Sequence, residues 1–347
     1  MDALRGCTVA LMLLVNDAGD WGHTYGPLMH APWNGCTLTD LVFPFFLFVV
    51  GVSIALAIGP RIERGDDRGV LARAATKRAL RIVLLGLAIQ VLSWLIFPDG
   101  HMRFPGVLQR IGVCFAAAAL FAIYGGARTQ WTAIVSILLG YWILLLAGGS
   151  LEPFVNIASR TDSAIFGRFV YLIDPATGRG HDPEGLLSSF PAVATSLLGL
   201  RAGEWLRDGR MKPLLVAGVL ALLLGYGWSL VFPLNKKLWT SSFVWWTAGW
   251  AMLALALFHG LVDQRGWPAI GRRFGMNAVA AYAGSELMQI LLPALGIQDP
   301  LYQHAFASWI TPLAGPYVAS LAYGLAFVAV WWMVVYAMDR KQVYLTL

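Results

Sequence analysis

Apolar runs alternate along this chain with short polar segments at a spacing suited to helices that cross a lipid bilayer. A helix needs about 20 mostly apolar residues to span a hydrocarbon core of about 30 Å. Ten such runs are read at residues 3–16, 39–58, 80–97, 107–124, 131–147, 186–203, 213–232, 240–261, 276–295 and 315–338. The pattern predicts an all-α, polytopic membrane bundle over residues 1–347, with about ten transmembrane helices in one domain. The first run is followed by Asn16-Asp17. It has neither a basic leader nor a small-residue cleavage pattern, so it is expected to stay as a helix rather than be removed as a signal peptide.

Composition agrees with the pattern. Apolar residues make up 58% of the chain and charged residues 13%, against about 25% charged in ordinary soluble domains. The charge that remains is unevenly placed. With ten spans, 18 of the 25 Lys and Arg residues fall on one side, Arg61 to Arg81 most densely. Six fall on the other side (Arg103, Arg160, Arg168, Arg179, Lys236 and Lys237), and Arg110 lies within a span. Basic loops stay in the cytoplasm, so both termini are expected there. The same bias accounts for the net charge of +6 through membrane topology and not through nucleic acid. Cys7, Cys36 and Cys114 are too few and too scattered for a disulfide framework or a metal site, and are read as packing residues.

Two outward segments are long, 16–39 and about 148–185. Long connections are usually functional or carry short structure of their own. No phosphate-binding glycine loop, H-E-x-x-H or G-x-S-x-G is present. Polar residues within or at the ends of spans (Asp40, Gln109, Arg110, Asn277 and Glu286) either tie helices together or line a polar cavity.

The densest polar constellation runs from Met29 to Phe46, with His30, Trp33, Asn34, Thr39 and Asp40 ahead of an uncharged span. Thr39 or Asp40 is expected to cap that helix, and Pro44 to sit in its first turns. An imidazole at this edge can exchange a proton near neutral pH. This segment, with Asp2-Ala3-Leu4-Arg5-Gly6 and Val15-Asn16, resembles the heparan-α-glucosaminide N-acetyltransferase family of transmembrane acyltransferases. The resemblance continues at Phe104–Gly112, Asp182–Gly185, Asn235–Ser242 and Gly275–Ala278.

The resemblance implies that cytosolic acetyl-CoA is the co-substrate and an amino sugar across the membrane the acceptor. It implies His30 as the catalytic histidine and Asn16 as its polar partner. Three departures bear on the acceptor and the site. The luminal domain and first helix of the lysosomal members are not found, the loop from Asn16 to His30 is longer and carries Asp17, Asp20 and His23, and Ser285 precedes Glu286 where members often have His. The first departure and the short loops point to a bacterial inner-membrane member.

The chemistry can be argued beside the resemblance. An amine attacking a thioester needs a base, and His30 can serve as that base or as an acetyl carrier. Asn16 or Asn34 amides can donate to the oxyanion. Trp33, Asn34, Asp40, Asn277 and Glu286 are expected at the substrate. Gln109 and Arg110 are expected along the acetyl-CoA path, and phosphates call for basic residues. Asp174, His181, Asp182 and Glu184 form an expected acceptor platform, with Trp239, Trp245 and Trp246 for sugar stacking. The expected partners are acetyl-CoA, the amino sugar and membrane lipid, with a homodimer left open and no nucleic acid or metal. Two alternatives remain at this stage: O-acetylation of an envelope polysaccharide, or transport of a polar solute.

Overall fold

A computed structural model describes residues 1–98 and 102–345 of the chain. Helices α1 (Asp2–Asn16), α2 (Leu38–Glu63), α3 (Arg68–Ile96), α4 (Val107–Tyr124) and α5 (Ala127–Ala147) come first. After α6 (Ile157–Phe166) the chain continues into α7 (Ser189–Arg207), α8 (Met211–Ser229) and α9 (Ser241–Phe258). It ends with α10 (Arg272–Met276), α11 (Ala278–Ala294), α12 (Gln298–Tyr302), α13 (Ser308–Ala314) and α14 (Pro316–Arg340).

All ten apolar runs are helical, but their capacity to cross lipid differs. Seven helices are long and apolar enough for a membrane, or eight if the pair α11 and α12–α13, bent by 97°, counts as one span. Helix α1 falls short because 15 residues rise only about 22 Å. Helix α7 falls short because Arg201, Glu204 and Arg207 crowd its last two turns. Protein replaces lipid around α7. Every residue from Pro191 to Gly203 is buried, with α2 as its chief neighbour. The two helices nearly touch along their backbones. A Cβ on Gly199 would lie 2.0 Å from the Phe48 carbonyl oxygen, and one on Gly51 would lie 1.9 Å from that of Ser196. Small residues permit this approach, which is where membrane helices gain packing energy.

Helix α3 begins twelve residues before the expected run. The basic stretch read as a loop is helical from Arg68 onward. Ala, Arg and Lys are all strong helix formers, and the Asp67 side chain caps the new start by accepting from Val70 N. Its 29 residues extend about 43 Å, so the basic turns project beyond a 30 Å core.

Successive helices alternate direction, which defines two ends. Arg207 at the close of α7 bonds Glu63 at the close of α2 (2.8 Å), and Arg273 bonds Asp339 near the chain terminus (3.1 Å). This end gathers the basic connections. His30 and residues 103–110 and 182–188 lie at the opposite end. There the long segment before α7 holds α6 and a two-stranded antiparallel ladder, β1 (Leu172–Ile173) with β2 (Gly180–His181). That ladder is a small departure from an all-α chain.

Candidate active site

The site is built at the head of α2. Thr37, not Thr39 or Asp40, is the N-cap residue, because Asp40 occupies the third helical position and closes a capping box. One carboxylate oxygen, Asp40 Oδ2, accepts from Thr37 N (3.0 Å), Thr37 Oγ1 (3.1 Å) and Ala31 N (3.0 Å). These three donors fix the carboxylate and leave Oδ1 for His30 Nδ1 at 2.7 Å. A carboxylate only accepts, so Nδ1 carries the proton and Nε2 presents its lone pair. The Asp40 side chain is 1% exposed, whereas the His30 side chain is 45% exposed. A buried acid thus orients an imidazole that substrate can reach. Pro44 lies further into α2 than expected, within the helix body.

A second segment clasps the first. Gly35 N donates to Leu234 O (2.8 Å), Asn235 Nδ2 to Asn34 Oδ1 (3.1 Å), and Lys237 Nζ to Pro32 O (2.7 Å). Lys236 Nζ lies 3.2 Å from His30 Nε2 and 3.3 Å from Nδ1. Burial pushes the Lys236 ammonium below its ordinary range, against the pull of Glu184 and Asp40. Sequence reasoning grouped Asn235–Ser242 as a motif but did not bring Lys236 to His30. The available signal was that both segments are polar and face the same side.

Trp33 ties the clasp to the segment before α7. Its Nε1 donates to Leu151 O (3.1 Å), and its ring meets His181 edge-on at 5.2 Å. His181 is 1% exposed, with Nδ1 2.9 Å from Ser159 Oγ. Burial first, then Lys237, pushes this imidazole down to about 4. In the unfolded chain it would take up a proton near 6.5, so its neutral form supports folding above that value. That support is lost as pH falls from 6.5 through about 4. Asp162, pushed up to about 7 by burial, works in the opposite sense, so parent and variant must be compared. His181→Gln is expected to remove up to about 3 kcal/mol of acid sensitivity. Thermal midpoints in detergent at pH 7.5 and 4.5 measure it, and parallel pH dependence in both proteins would contradict it.

The remaining expected site residues separate into several groups. Asn16 ends α1, and no hydrogen bond joins it to His30 among the described residues. Asp17 next to it accepts from Gln289 Nε2 of α11 (3.2 Å), and Glu286 lies one turn before Gln289 on that helix. Asp20 and His23 pair with each other (2.7 Å) and stabilise the turn before His30. Asn277 belongs to the basic end. Its Oδ1 accepts from Leu345 N (3.3 Å), and the adjoining Gly275 receives Arg5 Nε at its carbonyl (2.6 Å). It is therefore placed far from an acceptor at His30, because α11 begins at that end.

Gln109 and Arg110 are in the first turn of α4, at the His30 end and away from the basic connections. Gln109 Nε2 bonds Gln90 Oε1 (3.0 Å) and Phe104 O (3.1 Å). Arg110, 2% exposed, bonds Gly185 O and Ser188 Oγ and lies over the Trp239 ring at 5.1 Å. Gln109 thus ties α4 to α3, and Arg110 ties α4 to the start of α7. The expected acceptor platform is similarly engaged. Arg103 grips Asp182 through Nε (2.8 Å) and Nη2 (2.6 Å) and also bonds Glu184. Asp174 holds Thr177 and Ala176 N in the hairpin turn. Trp239 is wholly buried against Phe43 (5.3 Å), so it has no face for a sugar. Trp245 and Trp246 are half-buried on α9.

Below the dyad, Met12, Phe43, Phe46, Ile82, Ile111 and Tyr282 line an apolar cleft inside the bundle. Phe43 lies one turn into α2 from Asp40, so the cleft lining and the dyad share the first turns of one helix.

Comparison with known proteins adds a separate line of argument. Residues 1–232 match the family model described as heparan-alpha-glucosaminide N-acetyltransferase, catalytic. The human heparan-alpha-glucosaminide N-acetyltransferase is 25% identical over an alignment covering 99% of this chain and 59% of the human protein. The mouse protein of that name is 24% identical, with 84% of this chain and 54% of the relative covered. The chain thus spans little more than half the length of these relatives. The family match covers the dyad, the cleft residues on α1–α4 and the buried helix α7. On this match, the chain belongs to the heparan-alpha-glucosaminide N-acetyltransferase catalytic family of integral membrane proteins.

Proposed function

We propose that this chain is a transmembrane N-acetyltransferase that moves the acetyl group of cytosolic acetyl-CoA to the amine of a glucosamine-type sugar on the far side. The observation that carries this reading is the Asp40–His30 pair, with Nδ1 committed to a buried carboxylate and Nε2 exposed. Such an imidazole can take the proton of an attacking amine, which typically contributes about 10²–10⁴-fold. It can alternatively accept the acetyl group and pass it on.

The sidedness follows from charge. The basic connections gather at the end opposite His30, and basic loops are retained in the cytoplasm. Both termini then lie in the cytoplasm, and His30 faces the outside. The CoA nucleotide would enter at the basic end, where arginines suit its phosphates. The pantetheine arm would use the apolar cleft to bring the thioester toward His30.

The test is product formation by the purified full chain with radiolabelled acetyl-CoA and glucosamine. Labelled N-acetyl product is expected from the parent, and at least 10²-fold less from His30→Ala. Near-normal turnover by the variant would overturn the role of His30. In sealed vesicles, acetyl-CoA is expected to act from the basic side only.

A further inference from the structure

We propose that Lys236 is the oxyanion donor of the transfer reaction, held against His30 until the thioester arrives. This inference rests on the acetyl-transfer reading and adds to it a group from a segment 206 residues away.

Three structural features lead to it. Lys236 Nζ approaches both ring nitrogens, at 3.2 and 3.3 Å. Nδ1 donates to Asp40, and an ammonium so nearly equidistant from the two nitrogens lies over the ring face and not on the lone-pair axis of Nε2. Second, Lys236 forms no ion pair among the described residues, although Arg103, Arg201, Arg207 and Arg273 all do. Third, its backbone is fixed. Asn235 Oδ1 accepts from Leu238 N (2.8 Å), Asn235 N donates to Thr240 Oγ1 (3.0 Å), and Lys237 is tied to Pro32. The flexible stem of Lys236 therefore moves its ammonium about a fixed origin beside Nε2.

An ammonium over the ring leaves the Nε2 lone pair to an incoming amine but has no full acceptor of its own there. A group there is useful only if it gains an acceptor during turnover. The carbonyl oxygen of a thioester placed at Nε2 supplies one, because negative charge develops on it within reach of the same nitrogen. The neutral amine attacks the carbonyl carbon, the N–C bond forms and the carbonyl π pair moves to oxygen. The adduct's nitrogen loses its proton to Nε2, while Lys236 donates a hydrogen bond to the oxyanion and keeps its own protons. Collapse restores C=O and breaks C–S. The thiolate takes the proton from Nε2, leaving amide, free thiol and neutral His30. A fixed donor serves a charge that exists only in the transition state and intermediate, so its effect belongs in kcat.

The experiment compares the full chain with Lys236→Met, Lys236→Arg and Arg179→Gln, the last removing an exposed cation from the same end. The assay uses acetyl-CoA and glucosamine, with the detergent unfolding midpoint recorded for each protein. Lys236→Met is expected to lower kcat about 10²-fold with both KM values within about threefold. Lys236→Arg is expected to recover at least tenfold over Met, and Arg179→Gln to match the parent. An unchanged kcat in Lys236→Met, or a loss confined to KM, would overturn the assignment while the parent's activity and its loss in His30→Ala leave the acetyl-transfer reading standing. A loss in both Lys236 variants with a lowered midpoint would make Lys236 structural and also overturn it. An inactive parent would overturn the reading and the assignment together.

Discussion

Asp40→Asn is expected to lower turnover about 10³-fold while leaving the protein folded. The number of donors around the carboxylate decides this. Asp40 Oδ2 faces the backbone N–H groups of Ala31 and Thr37, and Oδ1 faces His30. An asparagine has one oxygen and one NH2 for these two positions. If its oxygen faced His30, the NH2 would point at two backbone donors in a buried place. Such unmatched groups cost about 1–3 kcal/mol each. The amide will therefore turn its oxygen to the backbone and its NH2 to His30. Nδ1 must then accept, the proton moves to Nε2, and the base is gone from the exposed side. The cap of α2 survives, so the unfolding midpoint should move little. Measuring kcat against amino-sugar and acetyl-CoA concentration checks this. An Asn variant within tenfold of the parent would mean that Asp40 serves only the helix cap.

Gly199→Val is expected to abolish recovery of folded protein. The added Cβ would lie 2.0 Å from the Phe48 carbonyl oxygen and 2.8 Å from its carbon. Both are backbone atoms, so no side chain can rotate away. The helices must separate by more than an ångström. Separation also strains the Ser196 Oγ bond to Leu47 O (3.1 Å), and it loosens the packing of Phe48, Val52 and Leu197, which are all buried. Overpacking a tight core costs about 1–3 kcal/mol even when side chains can adjust. A backbone clash at this closely packed helix pair exceeds that range. The check is gel filtration and thermal unfolding in mild detergent. A monodisperse Val variant with the parent's midpoint would contradict the close approach. Gly199→Ala adds the same Cβ and is expected to fail in the same way.

The helices were legible in the sequence because lipid demands long apolar runs, and each of the ten runs is helical. Their ends were less so. The start of α3 at Arg68 lies in a basic stretch that hydropathy assigns to a loop, although its residues favour helix. Helices α12 and α13 fall in the gap between the last two apolar runs, 276–295 and 315–338, where no long apolar stretch marks them. Whether a run crosses lipid depends on what surrounds it, and burial of α7 by protein cannot be read from its own residues.

The site was legible in part. His30 emerged from the polar segment Met29–Phe46 and its family resemblance, and Asp40 was noted but as a cap and a substrate residue. Its bond to Nδ1 depends on the path of residues 30–37, which folds ten residues of sequence into one contact. Lys236, Arg103 and Glu184 come from connections far apart in the chain. Only tertiary structure shows that Arg103 already holds Asp182 and Glu184, or that Trp239 has both faces occupied.

The burial of α7 has a consequence for biogenesis. A segment carrying Arg201, Glu204 and Arg207 gains little from lipid alone, and its position lies among α2, α4, α5, α8 and α9. Of these, α2, α4 and α5 are made before it and receive it as it emerges, whereas α8 and α9 are synthesised after it and close over it later. The membrane-inserted form is completed by association of helices and not by their insertion one at a time.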